Sequence, residues 1–354
     1  MPWRIELQPP RTFAIVVPTI GRPSLRRLLL TMTAELDRLA AEVILVDDRA
    51  KPASPLPADL DSTHSLQITV IRTGGRGPAA ARNAGWRAAT ADWIVFLDDD
   101  VVLPVGWGER LDADIAACDD DVGGCQGQVQ VPLPAHRRPT GWERNTAGLV
   151  GAKWITADMA YRRVVLAQTG GFDERFPRAY REDSELALRV LRRGWKLIPG
   201  ERTVIHPVRP ADDWALLRVE IGNADDALMD YLYGSRWRNA VEAPRGGFWL
   251  HVVTAASAAM ALGGLVTKSP SAMFGVAFWC LLTGRLIVRK LAAGPGLRDA
   301  EGRRELIRVL KTAPLIPLAA VSYRVYGEFR ARRIARAGRP GGKRANLSPR
   351  RLLR

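Results

Sequence analysis

Four short apolar runs lie within the first hundred residues, and each closes on a polar cluster. Thr12–Val17 ends at Pro18-Thr19 and Val43–Val46 at Asp47-Asp48. Leu66–Ile71 leads to the glycine loop Gly74-Gly75-Arg76-Gly77-Pro78, and Trp93–Leu97 ends at Asp98-Asp99-Asp100. Between the first two runs, Leu25, Leu28, Leu29, Met32, Leu36 and Leu39 recur at helical spacing, with Pro23 or Ser24 as the start. Ala79–Ala89 reads as a second helix. Strands alternating with helices predict right-handed βαβ units and an α/β fold with a mostly parallel sheet. Ligands bind such sheets at the carboxyl ends of the strands. The spacing therefore brings all four polar clusters to one edge.

The acidic cluster is the most specific of the four. Adjacent carboxylates repel unless a cation or donor groups hold them. A hard divalent cation with oxygen ligands and phosphate is one solution, and a solvated acidic turn is the other. The glycine loop lacks GxGxxG spacing and no GK[ST] follows it, so it is neither a dinucleotide fingerprint nor a P-loop. A plain turn would account for its glycines. Arg76 and Arg82, however, flank a helix N-terminus, which favours a diphosphate.

Further along, Val122–Val131 alternates as a strand, and Trp142–Trp154 reads as loop-rich. Glu182 and Asp183 open a helix over Ser184–Arg193 that ends at Gly194. There they are either caps or functional carboxylates whose ionised form the helix dipole favours. Trp195–Ile198 reads as a short strand, His206 follows in Val204-Ile205-His206-Pro207, and a helix is expected over Asp213–Tyr233.

Taken in order, these motifs resemble an inverting family 2 glycosyltransferase of the GT-A nucleotide-sugar fold. The matching residues are Val17-Pro18-Thr19 with Arg22, Val46-Asp47-Asp48, Gly77–Gly85, Phe96–Asp100, Gly170-Gly171-Phe172-Asp173-Glu174 and Glu182-Asp183. They span about residues 12–235. The resemblance implies nucleotide-sugar contacts from Pro18, Thr19, Arg22, Asp48, Arg76, Arg82, Asp98 and Asp99. It implies a Mg²⁺ or Mn²⁺ site at Asp98 and Asp100 with His206, though a triple Asp leaves open whether Asp99 or Asp100 is the main ligand. Asp183 matches the catalytic base. Glu182 and Trp154 are expected on the acceptor side, and Trp142 and Trp154 are either sugar-stacking or core residues. Processive relatives carry [QR]xxRW after the base. Tyr233-Gly234-Ser235-Arg236-Trp237 keeps the Arg-Trp but has Tyr first, which points to transfer of one or a few sugars.

A sugar nucleotidyltransferase of related fold is an alternative, but it would carry a GxGTR-type loop where Pro18-Thr19-Ile20-Gly21-Arg22 stands. A catalytically inert membrane scaffold is the other alternative.

The C-terminal third has a different character. Phe248–Val266 is 19 residues without a formal charge, and Ser271–Val288 is 18 residues with Arg285 alone interrupting it. Spanning helices need about 20 mostly apolar residues. Arg236, Arg238 and Arg245 precede the pair and Arg285, Arg289 and Lys290 close it, whereas the joining loop carries Lys268. That asymmetry predicts a hairpin with both flanks cytoplasmic. A pair of buried helices in a soluble accessory domain or a dimer interface is the competing reading. Ala255, Ala259 and Gly263 are expected to face the partner helix.

The net charge of +15 sits in the last fifth of the chain. Residues 1–284 hold 33 basic and 33 acidic side chains, against 19 and 4 in residues 285–354. This excludes a generally basic nucleic-acid binder and fits a tail that meets anionic lipid. Cys118, Cys125 and Cys280 have no metal-ligand spacing and suit a reducing compartment. The N-terminal stretch lacks a signal-peptide core. The expected organisation is a GT-A catalytic domain over 1–240, a hydrophobic helical region over 241–325 with its hairpin at 248–288, and a disordered basic tail over 326–354. The expected partners are a nucleotide-diphosphate sugar, a glycan or lipid-linked acceptor and membrane lipids through 248–288 and the tail, with no specific nucleic acid. The expected location is a membrane, with the catalytic domain cytoplasmic.

Overall fold

A computed structural model describes residues 11–36, 39, 41–56, 67–244 and 246–337. Part of the expected tail and flanking Arg245 lie outside these residues. The N-terminal part runs β1 (Phe13–Thr19), α1 (Ser24–Leu36), β2 (Ala41–Asp47), β3 (Ile68–Arg72), α2 (Pro78–Ala88), β4 (Trp93–Leu97), α3 (Trp107–Ala116) and β5 (Val122–Gln130). It continues through α4 (Gly141–Ala147), β6 (Asp158–Arg162), α5 (Arg163–Thr169), α6 (Glu182–Arg192) and β7 (Lys196–Ile205). Short α7 (Ala215–Val219), α8 (Gly222–Tyr233) and α9 (Trp237–Ala240) close it.

The seven strands form one sheet in the order β3-β2-β1-β4-β6-β5-β7. All pairings are parallel except those of β6, which runs antiparallel to β4 and β5. Strand alternation sorts the core into two layers. Ala14, Val16, Ile44, Val46, Ile94 and Phe96 face α2 and α6, whereas Phe13, Ile15, Val17, Val43, Leu45 and Val95 face α1 and α3. Gly85 lets α2 lie close on β1, because a Cβ there would stand 2.3 Å from Val16 Cγ1.

β6 was not visible as a strand in the sequence because it is bounded by charges. One of them, Asp158, is fully buried and bonds Arg202 Nε at 2.8 Å and Trp107 Nε1 at 2.8 Å. The helix expected over Asp213–Tyr233 divides into α7 and α8. Asn223 and Ala224 make tight i→i−3 bonds there, and Gly222 passes so near the Tyr180 ring that a Cβ would be 2.9 Å from it. The stretch expected to be loop-rich contains α4, whose Thr140 and Glu143 form a reciprocal capping box.

The C-terminal region folds as α10 (Phe248–Val266), α11 (Ser271–Ala292), α12 (Ala300–Thr312) and α13 (Ile316–Ala337). Helices α10 and α11 form the expected hairpin, and both are long and apolar enough to cross a membrane. At 1.5 Å per residue they span about 28 and 33 Å, close to the ~30 Å hydrocarbon core. Trp249, Leu262, Leu265, Met273, Phe274 and Leu281 stand exposed along them.

The facing stripe is shifted from the expected one. Thr254, Ser257, Ala261 and Gly264 are the buried positions of α10, while Ala259 and Gly263 are exposed. A Cβ on Gly275 would stand 2.3 Å from the Ala261 nitrogen, so Gly275 on α11 fixes the crossing. The hairpin's end is docked on the sheet-bearing part of the chain. Arg138 donates to the Ala292 carbonyl at 2.9 Å and Arg144 to the Ala293 carbonyl at 2.6 Å, satisfying orphan groups of α11.

The disordered tail is corrected in part, because residues 326–337 belong to α13. That helix has a partner in α8. Gly327 meets Ala224, Arg324 bonds Asp230 at 2.8 Å and Arg330 bonds Asp225 at 3.2 Å. Residues 338–354 lie outside the described residues.

Candidate active site

The carboxyl ends of β1, β2, β3 and β4 do meet at one edge, with the start of α6 and the end of β7 beside them. Two short backbone bonds decide the geometry. Val102 pairs with Ile205 in an antiparallel bridge (2.8 and 3.0 Å), which brings the turn after β4 against the residue that follows β7. Asp98, Asp100 and His206 thereby offer one ligand atom each within 4.8 Å of one another. His206 Nε2 lies 3.5 Å from Asp100 Oδ1, and its Nδ1 faces the Pro207 carbonyl at 3.3 Å.

The three aspartates have separate surroundings. Asp99 is turned inward, accepting from Thr19 Oγ1 at 2.7 Å and Arg22 Nη1 at 2.8 Å. Its side chain braces β4 against β1 and stands apart from the cluster formed by Asp98, Asp100 and His206. Asp100 is 3% exposed, and burial together with Asp98 pushes its carboxyl up from the ordinary range. Its Oδ2 atom is buried without a hydrogen bond, although Arg209 Nε lies 2.6 Å away. The Arg209 N–H is aimed off the oxygen, which leaves a charge contact. A buried carboxylate oxygen in need of a partner, beside a second carboxylate and an imidazole, fits a Mn²⁺ or Mg²⁺ donor set.

Asp98 is held from the other side by Arg82. That guanidinium is 2% exposed and bridges Glu182 Oε1 at 2.7 Å and Asp98 Oδ1 at 3.0 Å. Helix α2 thus ties the turn after β4 to the first turn of α6. Asp183 follows Glu182 there and is half-buried, with Oδ1 accepting from the Ser184 N–H at 2.6 Å. Burial pushes the Asp183 carboxyl up, against the opposing pull of the Ser184 N–H, Arg82 and Arg181. Burial and the adjacent Asp183 likewise raise Glu182, and Arg82 opposes them.

The edge beside β2 and β3 is built around Asp48. Its carboxylate accepts from Thr73 Oγ1 at 2.6 Å and from the Arg76 and Gly77 N–H groups, each at 2.8 Å. It therefore shapes the glycine loop, in which Gly74, Gly75 and Gly77 all have φ above +70°. Pro18 is half-buried at the end of β1. Arg76 is exposed and pairs with Glu174 at 2.6 Å. Asn83 joins this loop to Gly170–Glu174, bonding the Phe172 N–H and carbonyl and Glu174 Oε1 at 2.8–2.9 Å.

Two expected acceptor contacts are corrected. Glu182 is 1% exposed and committed to Arg82, so an acceptor does not reach it. The Trp154 indole packs in the buried cluster with Phe96 and Met159, and its backbone N–H is held by Gln126 Oε1. Trp142 is half-buried and donates from Nε1 to the Arg209 carbonyl at 2.8 Å. Trp237 of the Arg-Trp pair is buried between Arg181 and Arg238, bonding Asp230. Arg209, and the contact of Ser184 with Asp183, went unnoticed in the sequence. The signal for Arg209 was its place three residues after His206.

Residues 14–173 match the profile described as Glycosyl transferase family 2. Over that segment the chain is similar to family 2 glycosyltransferases. Its fold is the GT-A fold, and the glycosyltransferase resemblance read from the motifs holds. The pre-mycofactocin glycosyltransferase of Mycobacterium tuberculosis is 37% identical over 102 residues, covering 28% of this chain and 20% of that protein. An uncharacterized glycosyltransferase of Haemophilus influenzae is 35% identical over 88 residues, covering 25% of this chain and 29% of that protein. The chain thus spans less than a third of each of these two relatives. Among solved structures, a mannosyltransferase from Pyrobaculum calidifontis in complex with GDP-Man and Mn²⁺ superposes with a TM-score of 0.53. That likeness covers 92% of this chain and 91% of the other at 19% identity, and it is a likeness of fold. Glu182, Asp183, His206 and Arg209 lie beyond the family-matched residues, and only the geometry above brings them to the strand ends.

Proposed function

We propose that this chain is a metal-dependent inverting glycosyltransferase, moving a sugar from a nucleotide-diphosphate sugar to an acceptor hydroxyl. The observation that carries the reading is the double convergence on Asp98. It shares a cation-sized cluster with Asp100 and His206, and Arg82 links it to the helix turn bearing Asp183. Asp98, Asp100 and His206 would hold Mg²⁺ or Mn²⁺, which supplies positive charge to a diphosphate leaving group. Asp183 is the base. Its Oδ1 is held by Ser184, which leaves Oδ2 to take the acceptor proton. The acceptor oxygen bonds to the anomeric carbon as the bond to the diphosphate breaks, and the electron pair leaves on the diphosphate. Attack from the opposite face inverts that carbon. Pro18 and the loop shaped by Asp48 form the nucleoside edge, Arg76 stands near the diphosphate, and the Thr19–Arg22–Asp99 brace and Arg82 hold the aspartates.

The reading has one domain ending near residue 240 and a membrane-associating helical unit after it. The exposed apolar faces of α10 and α11 support a lipid-linked or envelope acceptor at the cytoplasmic face, and Tyr233 in place of Gln or Arg supports non-processive transfer. Full-length protein is expected in the membrane pellet, resistant to high salt and released by detergent. Recovery as a detergent-free soluble monomer would defeat the membrane assignment.

A thermal-shift panel of UDP, GDP and dTDP with and without Mn²⁺ tests the donor assignment. One nucleotide should raise the melting temperature together with Mn²⁺ and much less with EDTA. No shift from any nucleotide would favour an inert scaffold.

A further inference from the structure

We propose that Arg209 is a built-in competitor for the cation site. Its guanidinium holds Asp100 until a divalent cation and a nucleoside diphosphate together displace it. The inference rests on the cation-site reading of Asp98, Asp100 and His206.

Three features set Arg209 apart from a structural ion pair. Its contact with Asp100 is close but makes no hydrogen bond to Oδ2, so charge alone holds it. The buried ion pairs nearby differ, since Arg82 and Arg202 are fully buried and bond their carboxylates in good geometry. Arg209 also lies on the irregular segment between β7 and α7, between Val208 and Pro210. Trp142 Nε1 pins its backbone carbonyl while its side chain stays 45% exposed. Finally, the residue lines a cavity of about 380 Å³ with Trp142, Val208, Asp212 and Arg308, which gives the side chain room to turn.

A dication bound by Asp100 would stand about 2.0–2.2 Å from a carboxylate oxygen. A guanidinium 2.6 Å from Oδ2 would then face it at short range across the same carboxylate, and repulsion between the like charges opposes that. The displaced guanidinium needs a new anionic partner. A diphosphate offers the planar, bidentate one that suits arginine best. Cation alone therefore competes with Arg209, whereas cation with diphosphate gives Arg209 somewhere to go. Each ligand must then raise the other's affinity by the same factor.

Mn²⁺ binding to the full-length protein in detergent, read from the electron paramagnetic resonance of free Mn²⁺, tests this. The arms are wild type, Arg209→Gln, Arg209→Lys and Asp100→Asn, each alone and with UDP or GDP. Arg209→Gln should bind Mn²⁺ alone about fivefold or more tighter than wild type. The extra affinity conferred by the preferred nucleotide should shrink toward none, with Arg209→Lys between the two. Unchanged or weaker Mn²⁺ binding by both Arg209 variants without nucleotide would overturn the competition. A wild type that does not bind Mn²⁺, or binds it no better than Asp100→Asn, would overturn the cation site itself.

Discussion

Asp183→Asn is expected to lower the transfer rate by about 10²–10⁴-fold while leaving binding of nucleotide and Mn²⁺ near wild type, the range that removal of a positioned base gives. Asn keeps the shape and the acceptor for the Ser184 N–H but cannot take a proton. The pH profile carries a second signature. Burial holds the Asp183 carboxyl above the usual aspartate range, and the base works ionised. The wild-type rate should therefore fall with acid through an apparent pKa higher than that of a free aspartate, and Asp183→Asn should lose that limb. Nucleotide release that persists unchanged in Asp183→Asn would remove Asp183 from the chemistry.

Arg82→Ala is expected to be the most destabilising single change near the site. It leaves Glu182 buried without its counter-charge, a loss of about 3–5 kcal/mol, and it frees Asp98 from α2. Thermal unfolding in detergent, followed by tryptophan fluorescence, measures the first effect. The double variant Arg82→Met with Glu182→Met removes both charges and should regain much of the lost stability, because no unpaired ion remains. It should stay inactive, since Asp98 has still lost its strut. An Arg82→Ala protein as stable as wild type would mean that Glu182 is neutralised by a proton or reached by water.

These two predictions depend on contacts whose legibility in the sequence was unequal. The strand ends were readable because apolar runs and polar clusters alternate, and parallel topology forces those ends together. The Asp98–Asp100 cluster was readable as a site, but the separate duties of its members were not. Only the fold shows Asp99 turned to Thr19 and Arg22 while Asp100 meets His206. That meeting depends on the Val102–Ile205 bridge, a contact over a hundred residues apart that no local pattern encodes. β6 stayed hidden because a buried ion pair reads as loop in one dimension, and Glu182 looked available because its partner Arg82 is a hundred residues earlier. In the hairpin, composition located both helices. Ala255, Ala259 and Gly263 nevertheless misled, since small residues crowd both faces and only packing against Gly275 selects the stripe.

The most direct test of the proposed activity is nucleoside diphosphate release from UDP-, GDP- and dTDP-sugars by the full-length protein in detergent, with Mn²⁺ or EDTA and a hydroxyl acceptor. The account predicts release from one donor class that requires the metal and is abolished in Asp98→Asn. It also predicts a product whose anomeric configuration, read by NMR coupling, is opposite to that of the donor. Release that is indifferent to EDTA and to Asp98→Asn, or a product that retains the donor's configuration, would contradict it.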